Sequence, residues 1–227
     1  MLWISICATV LFFLIARMIY RRFQIAILSP IFTTLLMTIL FVLLFHVSYT
    51  SYMSGGRYLT YLLQPATVAF AIPLYKHFQL LKRHSVEILV SVIGGSMVAI
   101  SSTVLLAHLF RLNTSLTDSL APRSITTPFA MDVSNMIGGT PVLTAVFVIL
   151  TALVGLLVGP IVIRHLRITS SLAKGTLLGT SAHAAGTSRA FEFGNIEGTF
   201  ASISMILAAG FTMLIAPLLV HLLQVHL

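Results

Sequence analysis

The 227 residues are 58% hydrophobic and only 8% Asp, Glu, Lys or Arg, with a mean hydropathy of +1.04 and a formal net charge of +8. A soluble domain carries roughly 25% charged residues, so this chain lacks the charge to cover a water-facing surface, and a bilayer is the solvent that suits it. The positive balance does not indicate nucleic acid, because the basic residues fall in short groups between apolar stretches, as topology-setting charges do.

Residues 2–16 are apolar and read as the first membrane helix, continuing to about Tyr20 with Arg17, Arg21 and Arg22 at its end. The arginines follow the apolar run instead of preceding it, so the segment is expected to be a helix and not a cleavable signal. Residues 25–47 form the expected second span, with Pro30 in its first turns. Residues 59–75 form a shorter span, and Pro73 within it predicts a kink. Residues 88–110 are a clean span carrying Gly94, Gly95, Ser96, Ser101 and Ser102, small residues that permit close helix contact. Residues 119–137 differ, with Pro122, Arg123, Pro128, Asp132 and Asn135 in an otherwise apolar stretch. Residues 142–163 are again clean. Residues 175–198 are the second unusual segment, rich in Gly, Ala, Ser and Thr, with His183, Arg189, Glu192 and Glu197. Residues 199–223 complete the chain of spans.

Counting Lys and Arg favours one topology. If residues 119–137 dip in and return, one side holds nine (Arg17, Arg21, Arg22, Lys76, Lys82, Arg83, Arg164, Arg167, Lys174) and the other three (Arg57, Arg111, Arg123). If the segment crosses, the count becomes six against six. The first topology gives six full spans, two interrupted segments entering from opposite faces, and an extracytoplasmic N-terminus. The expected fold is therefore all-α, a polytopic transmembrane bundle of inverted-repeat transporter type. It is read as a single domain over 1–227, with scaffold-type helices in 1–47 and a core in 59–223. Whether the interrupted helices re-enter or cross stays open at this level.

Two Gly/Pro-interrupted segments in matching places point to a transporter site. Broken helix ends leave N–H groups free and bring positive dipole ends inward, which suits an anion. Arg123 and Arg189 each offer a bidentate fork for a carboxylate. Arg189, with Thr187 and Ser188, is the expected anion holder, and Ser124, Thr126 and Thr127 complete the site from the first segment. Arg189 and Asp132 lie deep in apolar sequence, where function is the default and a structural ion pair the alternative. His183 is open between proton relay, substrate donor and a structural histidine. Glu192, Glu197 and Asp132 are the candidate proton carriers, although Glu197 also suits a helix start. The single cysteine, Cys7, permits no intrachain disulfide or thiolate cluster. No residue spacing suggests a metal, a cofactor or an enzyme's nucleophile and base.

The stretch Gly179-Thr-Ser-Ala-His-Ala-Ala-Gly-Thr-Ser-Arg-Ala-Phe-Glu-Phe-Gly-Asn-Ile-Glu-Gly198 resembles the signature of the LrgB/CidB family. Leu63-Gln-Pro-Ala66 and Pro122-Arg-Ser-Ile-Thr-Thr-Pro-Phe-Ala-Met131 resemble its other motifs, and the likeness runs over essentially the whole chain. The resemblance adds Gln64 to the candidate substrate site. It implies a bacterial inner-membrane protein, multi-pass; a homo-oligomer (a dimer) is expected because carriers often pair through a scaffold. It also implies two roles. One is a holin/antiholin-like regulator of murein hydrolase activity, autolysis and programmed cell death, acting with a small LrgA/CidA-type membrane partner. The other is transport of small monocarboxylates of the pyruvate, acetate or glycolate kind, since a related plastid protein moves glycolate and glycerate. A site built from paired interrupted helices favours the carrier, because a lesion-forming holin needs only simple spans.

Overall fold

A computed structural model describes residues 2–23, 28–62, 65, 68 and 71–226. The chain divides into two compact units, residues 1–69 and 70–227. Among the described residues the regular structure is helical throughout, and four helices are long and apolar enough to cross a membrane. The molecule is a polytopic helical bundle.

In the first unit, α1 (Leu2–Phe23) has 22 residues and ends on Arg21 and Arg22, where cations complement the helix dipole. At 1.5 Å per residue it covers about 33 Å, enough for a hydrocarbon core of about 30 Å. The second expected span is shorter than the sequence suggests. α2 (Pro30–Leu44) has 15 residues, or about 22 Å. Pro30 starts it, its fixed φ suiting a first helical position. His46, at φ 51°, ends it in a left-handed turn closed by Val47 N–H to the Val42 carbonyl. The same closure recurs at Arg111 and Arg167, each with positive φ after a long helix. A further helix, α3 (Tyr49–Tyr61), occupies a polar stretch that reads as a loop. Ser48 caps it by accepting from Ser51 N–H, and the Tyr52 hydroxyl lies 2.6 Å from Thr9 Oγ1 on α1. The expected third span, 59–75, falls partly outside the described residues, as does Gln64.

The second unit carries the rest. α4 (Ala71–Lys76) and α5 (Phe78–Arg83) are short. The turn before Pro73, where the expected kink falls, lies outside the described residues; beyond Pro73 the chain breaks at His77 and again at His84. Then follow α6 (Ser85–Leu109), α7 (Thr114–Leu120), α8 (Thr127–Ile137), α9 (Pro141–His165), α10 (Ser171–Phe193) and α11 (Asn195–His226). α6, α9 and α11 are the long spans. Val90, Val98, Ile161 and Leu214 lie exposed along them, as lipid-facing residues must. The core is built from the opposite faces, with Ile88, Val92, Ile100, Val133, Ile203 and Ala208 buried together.

Both interrupted segments are hairpins. In the first, α7 runs in, residues 121–126 turn, and α8 runs back. Thr140 N–H donates to Ser119 Oγ at 2.7 Å, and Thr144 Oγ1 donates to the Ser119 carbonyl at 2.9 Å. The far end of the hairpin therefore returns to the last turn of α7. Gly138, at φ 95°, closes α8 in a left-handed conformation that a side chain resists. In the second hairpin, α10 reverses at His183, whose backbone is non-helical at φ 39°, ψ −122°. Leu178 and Ala190 pack in one cluster with Ala201, although twelve residues of straight helix would hold them about 18 Å apart. At Gly186 a Cβ would collide with the Leu178 carbonyl oxygen of the other arm. Both arms lie along the same part of α11: Ser171 Oγ donates to Glu197 Oε1 at 2.8 Å, and Thr187 Oγ1 lies 3.7 Å from Met205 Sδ.

The connections place the hairpins on opposite ends of the unit. The first opens beside the end of α6 and the start of α9. The second opens beside the end of α9 and the start of α11. Lys82, Arg83, Arg164, Arg167 and Lys174 gather at the second hairpin's end, with Arg111 at the first's. That asymmetry is the one the charge count expects of the re-entrant topology.

Candidate functional site

The hairpin tips meet. His183, 3% exposed at the turn of the second hairpin, brings its Nε2 to 3.3 Å from the Arg123 carbonyl at the turn of the first. Arg123 sends its guanidinium away from that contact. Its Nε donates to Thr103 Oγ1 on α6 at 3.2 Å, and its Nη1 reaches Thr151 Oγ1 on α9 at 3.5 Å. Thr151 lies near the middle of α9, so this group sits deep in the bundle. Among the described residues no carboxylate forms an ion pair with it.

A cavity of about 650 Å³ opens at this junction, lined by Arg123, Ser124, Thr151, Thr180 and Ser181 among apolar residues of α6 and α9. Thr126 adds a second polar feature to the first hairpin's tip. It is the N-cap of α8, and its hydroxyl is buried without a partner. The first-turn N–H groups of α8 follow it, with Thr127 and Pro128 opening the helix. Arg123 and Ser124 face the cavity, while the Thr126 hydroxyl and the start of α8 follow behind its wall along the same hairpin; a fixed cation in an apolar wall suits a small anion with an apolar body.

The structure brings together some of the expected residues and separates others. Arg123 and Ser124 line the cavity with Thr180 and Ser181, and His183 touches Arg123 from behind. Arg189 is not among the lining residues. Its Nη1 pairs with Glu192 Oε2 one turn on, its Cζ stands 6.0 Å from the Phe193 ring centre, and its buried Nε has no partner. Thr187 is buried against α11, and Ser188 is exposed. Asp132 is exposed, and Glu197 binds Ser171 at the hairpin mouth. Thr180 and Ser181 escaped the sequence reading because their hydroxyls look like ordinary helix-bound ones, donating to the Thr176 and Leu177 carbonyls. Their helical register toward α9 is what selects them.

Residues 9–222 match the LrgB-like family. The chain is 55% identical over 216 residues to the YwbG protein of Bacillus subtilis, covering 95% of this chain and 96% of that protein. It is 34% identical over 194 residues to antiholin-like protein LrgB of Bacillus subtilis, covering 86% and 84%. It is 34% identical over 219 residues to holin-like protein CidB of Staphylococcus aureus, covering 96% of each. No solved structure matches the chain.

Proposed function

From the premise that this chain belongs to the LrgB-like family, we propose that it is a holin/antiholin-like regulator in the bacterial cell membrane, non-enzymatic, working with a small LrgA/CidA-type membrane partner. The names of its relatives, antiholin-like LrgB and holin-like CidB, support that role. The expected regulation is of murein hydrolase activity and autolysis.

A second reading concerns what the protein does in the bilayer to exert that control: it passes a small monocarboxylate such as pyruvate, acetate or glycolate. The observation that favours it is the Arg123 guanidinium, unpaired with any described carboxylate and held at the junction of two opposed hairpins. A half-buried cation facing a cavity at membrane depth is a functional group by default. In this reading Arg123, Ser124 and Thr126 hold the carboxylate, with Thr127 at the helix end and Thr180 and Ser181 opposite. Arg189, Ser188 and Thr187 are the rival holder on the second hairpin. The two roles are compatible if carboxylate flux is the signal that alters autolysis.

Uptake of labelled pyruvate, acetate and glycolate into proteoliposomes, with and without the partner, separates the readings. Saturable flux is expected, and Arg123→Ala raises KM roughly tenfold to a hundredfold, the loss of a charged hydrogen-bonded pair. Arg189→Ala in the same assay measures the rival site. Partner-dependent changes in autolysis without saturable flux leave the regulator and remove the carrier. Flux unchanged by Arg123→Ala removes the assigned site.

A further inference from the structure

The chain has five carboxylate side chains. Four reach the surface: Glu87 pairs with His84, Glu192 with Arg189, Glu197 binds Ser171, and Asp132 is exposed. The fifth, Asp118, is only 4% exposed. It lies on α7, the inward arm of the first hairpin, between buried Thr117 and Ser119. Its Oδ1 accepts from Gln224 Nε2 at 2.7 Å, near the end of α11. A Cβ at Gly138 would stand 3.6 Å from its Oδ2. Among the described residues no Lys, Arg or His forms an ion pair with it. Beside it is a small pocket of about 170 Å³, lined by His108, Thr114, Thr117 and Gln224.

A carboxylate charge buried without a countercharge is costly, and such groups take up a proton or a cation. The surroundings do not make a cation cage. Gln224 presents its N–H group, and the Thr117 hydroxyl is committed to the Asn113 carbonyl. On the elements packed around Asp118, His108 of α6 is the titratable side chain of the same pocket. α11 brings neutral Gln224 with His221 exposed one turn before it, α8 and the start of α9 bring Ser134, Gly138 and Thr144, and Arg111 ahead of the hairpin is exposed.

We propose that Asp118 is a proton-binding site at the mouth of the first hairpin, filled and emptied through the His108–Thr114 pocket, and that its occupancy governs the docking of that hairpin on α11. With the proton bound, the neutral carboxyl stays buried against Gln224. When the O–H bond breaks and the proton leaves to water on that face, the remaining charge requires hydration, and the hairpin separates from α11. The coupling of this step to solute movement rests on the carrier reading above; the proton site does not.

Infrared difference spectroscopy of the full-length protein in nanodiscs tests the site directly, because four other carboxylates leave an uncluttered spectrum. At neutral pH, where surface carboxylates are ionised, the protein shows one protonated-carboxyl band. Asp118→Asn removes it, Asp118→Glu moves it, and Glu87→Gln leaves it in place. In proteoliposomes an inward proton gradient accelerates carboxylate uptake, and Asp118→Asn abolishes that acceleration. A wild-type protein without the band or a band that survives Asp118→Asn overturns the proton site, and uptake driven by a sodium gradient overturns its coupling to solute movement. A band that behaves as expected without any carboxylate flux supports the proton site and overturns the carrier reading instead.

Discussion

Replacing Thr144 by valine removes one hydroxyl and almost no volume. Thr144 is fully buried, and its Oγ1 donates to the Ser119 carbonyl and lies 2.7 Å from Ser134 Oγ. The Ser119 carbonyl is in need of that donor, because Arg123 N–H, which would reach it in a continuing helix, donates to the Leu120 carbonyl. The valine leaves a carbonyl and a hydroxyl buried with one partner fewer each. At about 1–2 kcal/mol per group the loss is about 2–4 kcal/mol, or roughly 5–15 °C in melting temperature for a chain of this size. Far-UV circular dichroism of the purified protein in detergent measures it. Ser202→Ala is the control, since its hydroxyl donates only within its own helix, to the Gly198 carbonyl, and it shifts melting by about 1–2 °C. Equal melting temperatures for wild type and Thr144→Val refute the view that this hydroxyl joins the two feet of the first hairpin.

Topology and positioning give two further tests. In a Cys7→Ser background, cysteines placed at Asn113 and Thr140 are labelled by a membrane-impermeant reagent from one face, and cysteines at Ser170 and Asn195 from the other. A hairpin whose two ends label from different faces is a crossing segment, contrary to the hydrogen bonds at Ser119. His183→Ala frees the Arg123 carbonyl, so KM for the carboxylate rises several-fold with kcat little changed, and His183→Gln, which restores an N–H at the same reach, recovers most of the loss. An unchanged KM in His183→Ala refutes the coupling of the two tips.

Much of this architecture is legible in the residues. Pro122, Pro128 and the Gly/Ala/Ser/Thr run after Gly175 interrupt apolar stretches, and both interruptions are present as hairpins. The charge count already preferred re-entry, and the contacts at Ser119 and Leu178 agree. Length was harder to read. Residues 25–47 look like one span because apolar composition says nothing about where Pro30 starts the helix or His46 ends it. The α3 segment is polar, and its order comes from a Ser48 cap and a Tyr52 contact with α1, which is tertiary information. Sequence alone makes Arg189 the expected anion holder and Arg123 a second fork. What distinguishes them is direction: one reaches hydroxyls on two other helices, and the other folds onto Glu192 three residues along its own. Asp118 was missed because it stands one residue ahead of the apolar stretch that marked the segment, in a run of Thr, Ser and Asn that reads as exposed loop.

α11 holds the second hairpin by Glu197 and the first by Gln224. Along a helix these anchor points are about 40 Å apart, close to the full thickness of a bilayer with its headgroups. The helix thus acts as a caliper. A thinner membrane tilts it and drags the two attachment points toward each other's plane, while a thicker one pulls the polar ends into hydrocarbon. The acyl-chain length of the surrounding lipid therefore bears on how firmly each hairpin is seated, and the composition of the membrane becomes an input to the protein.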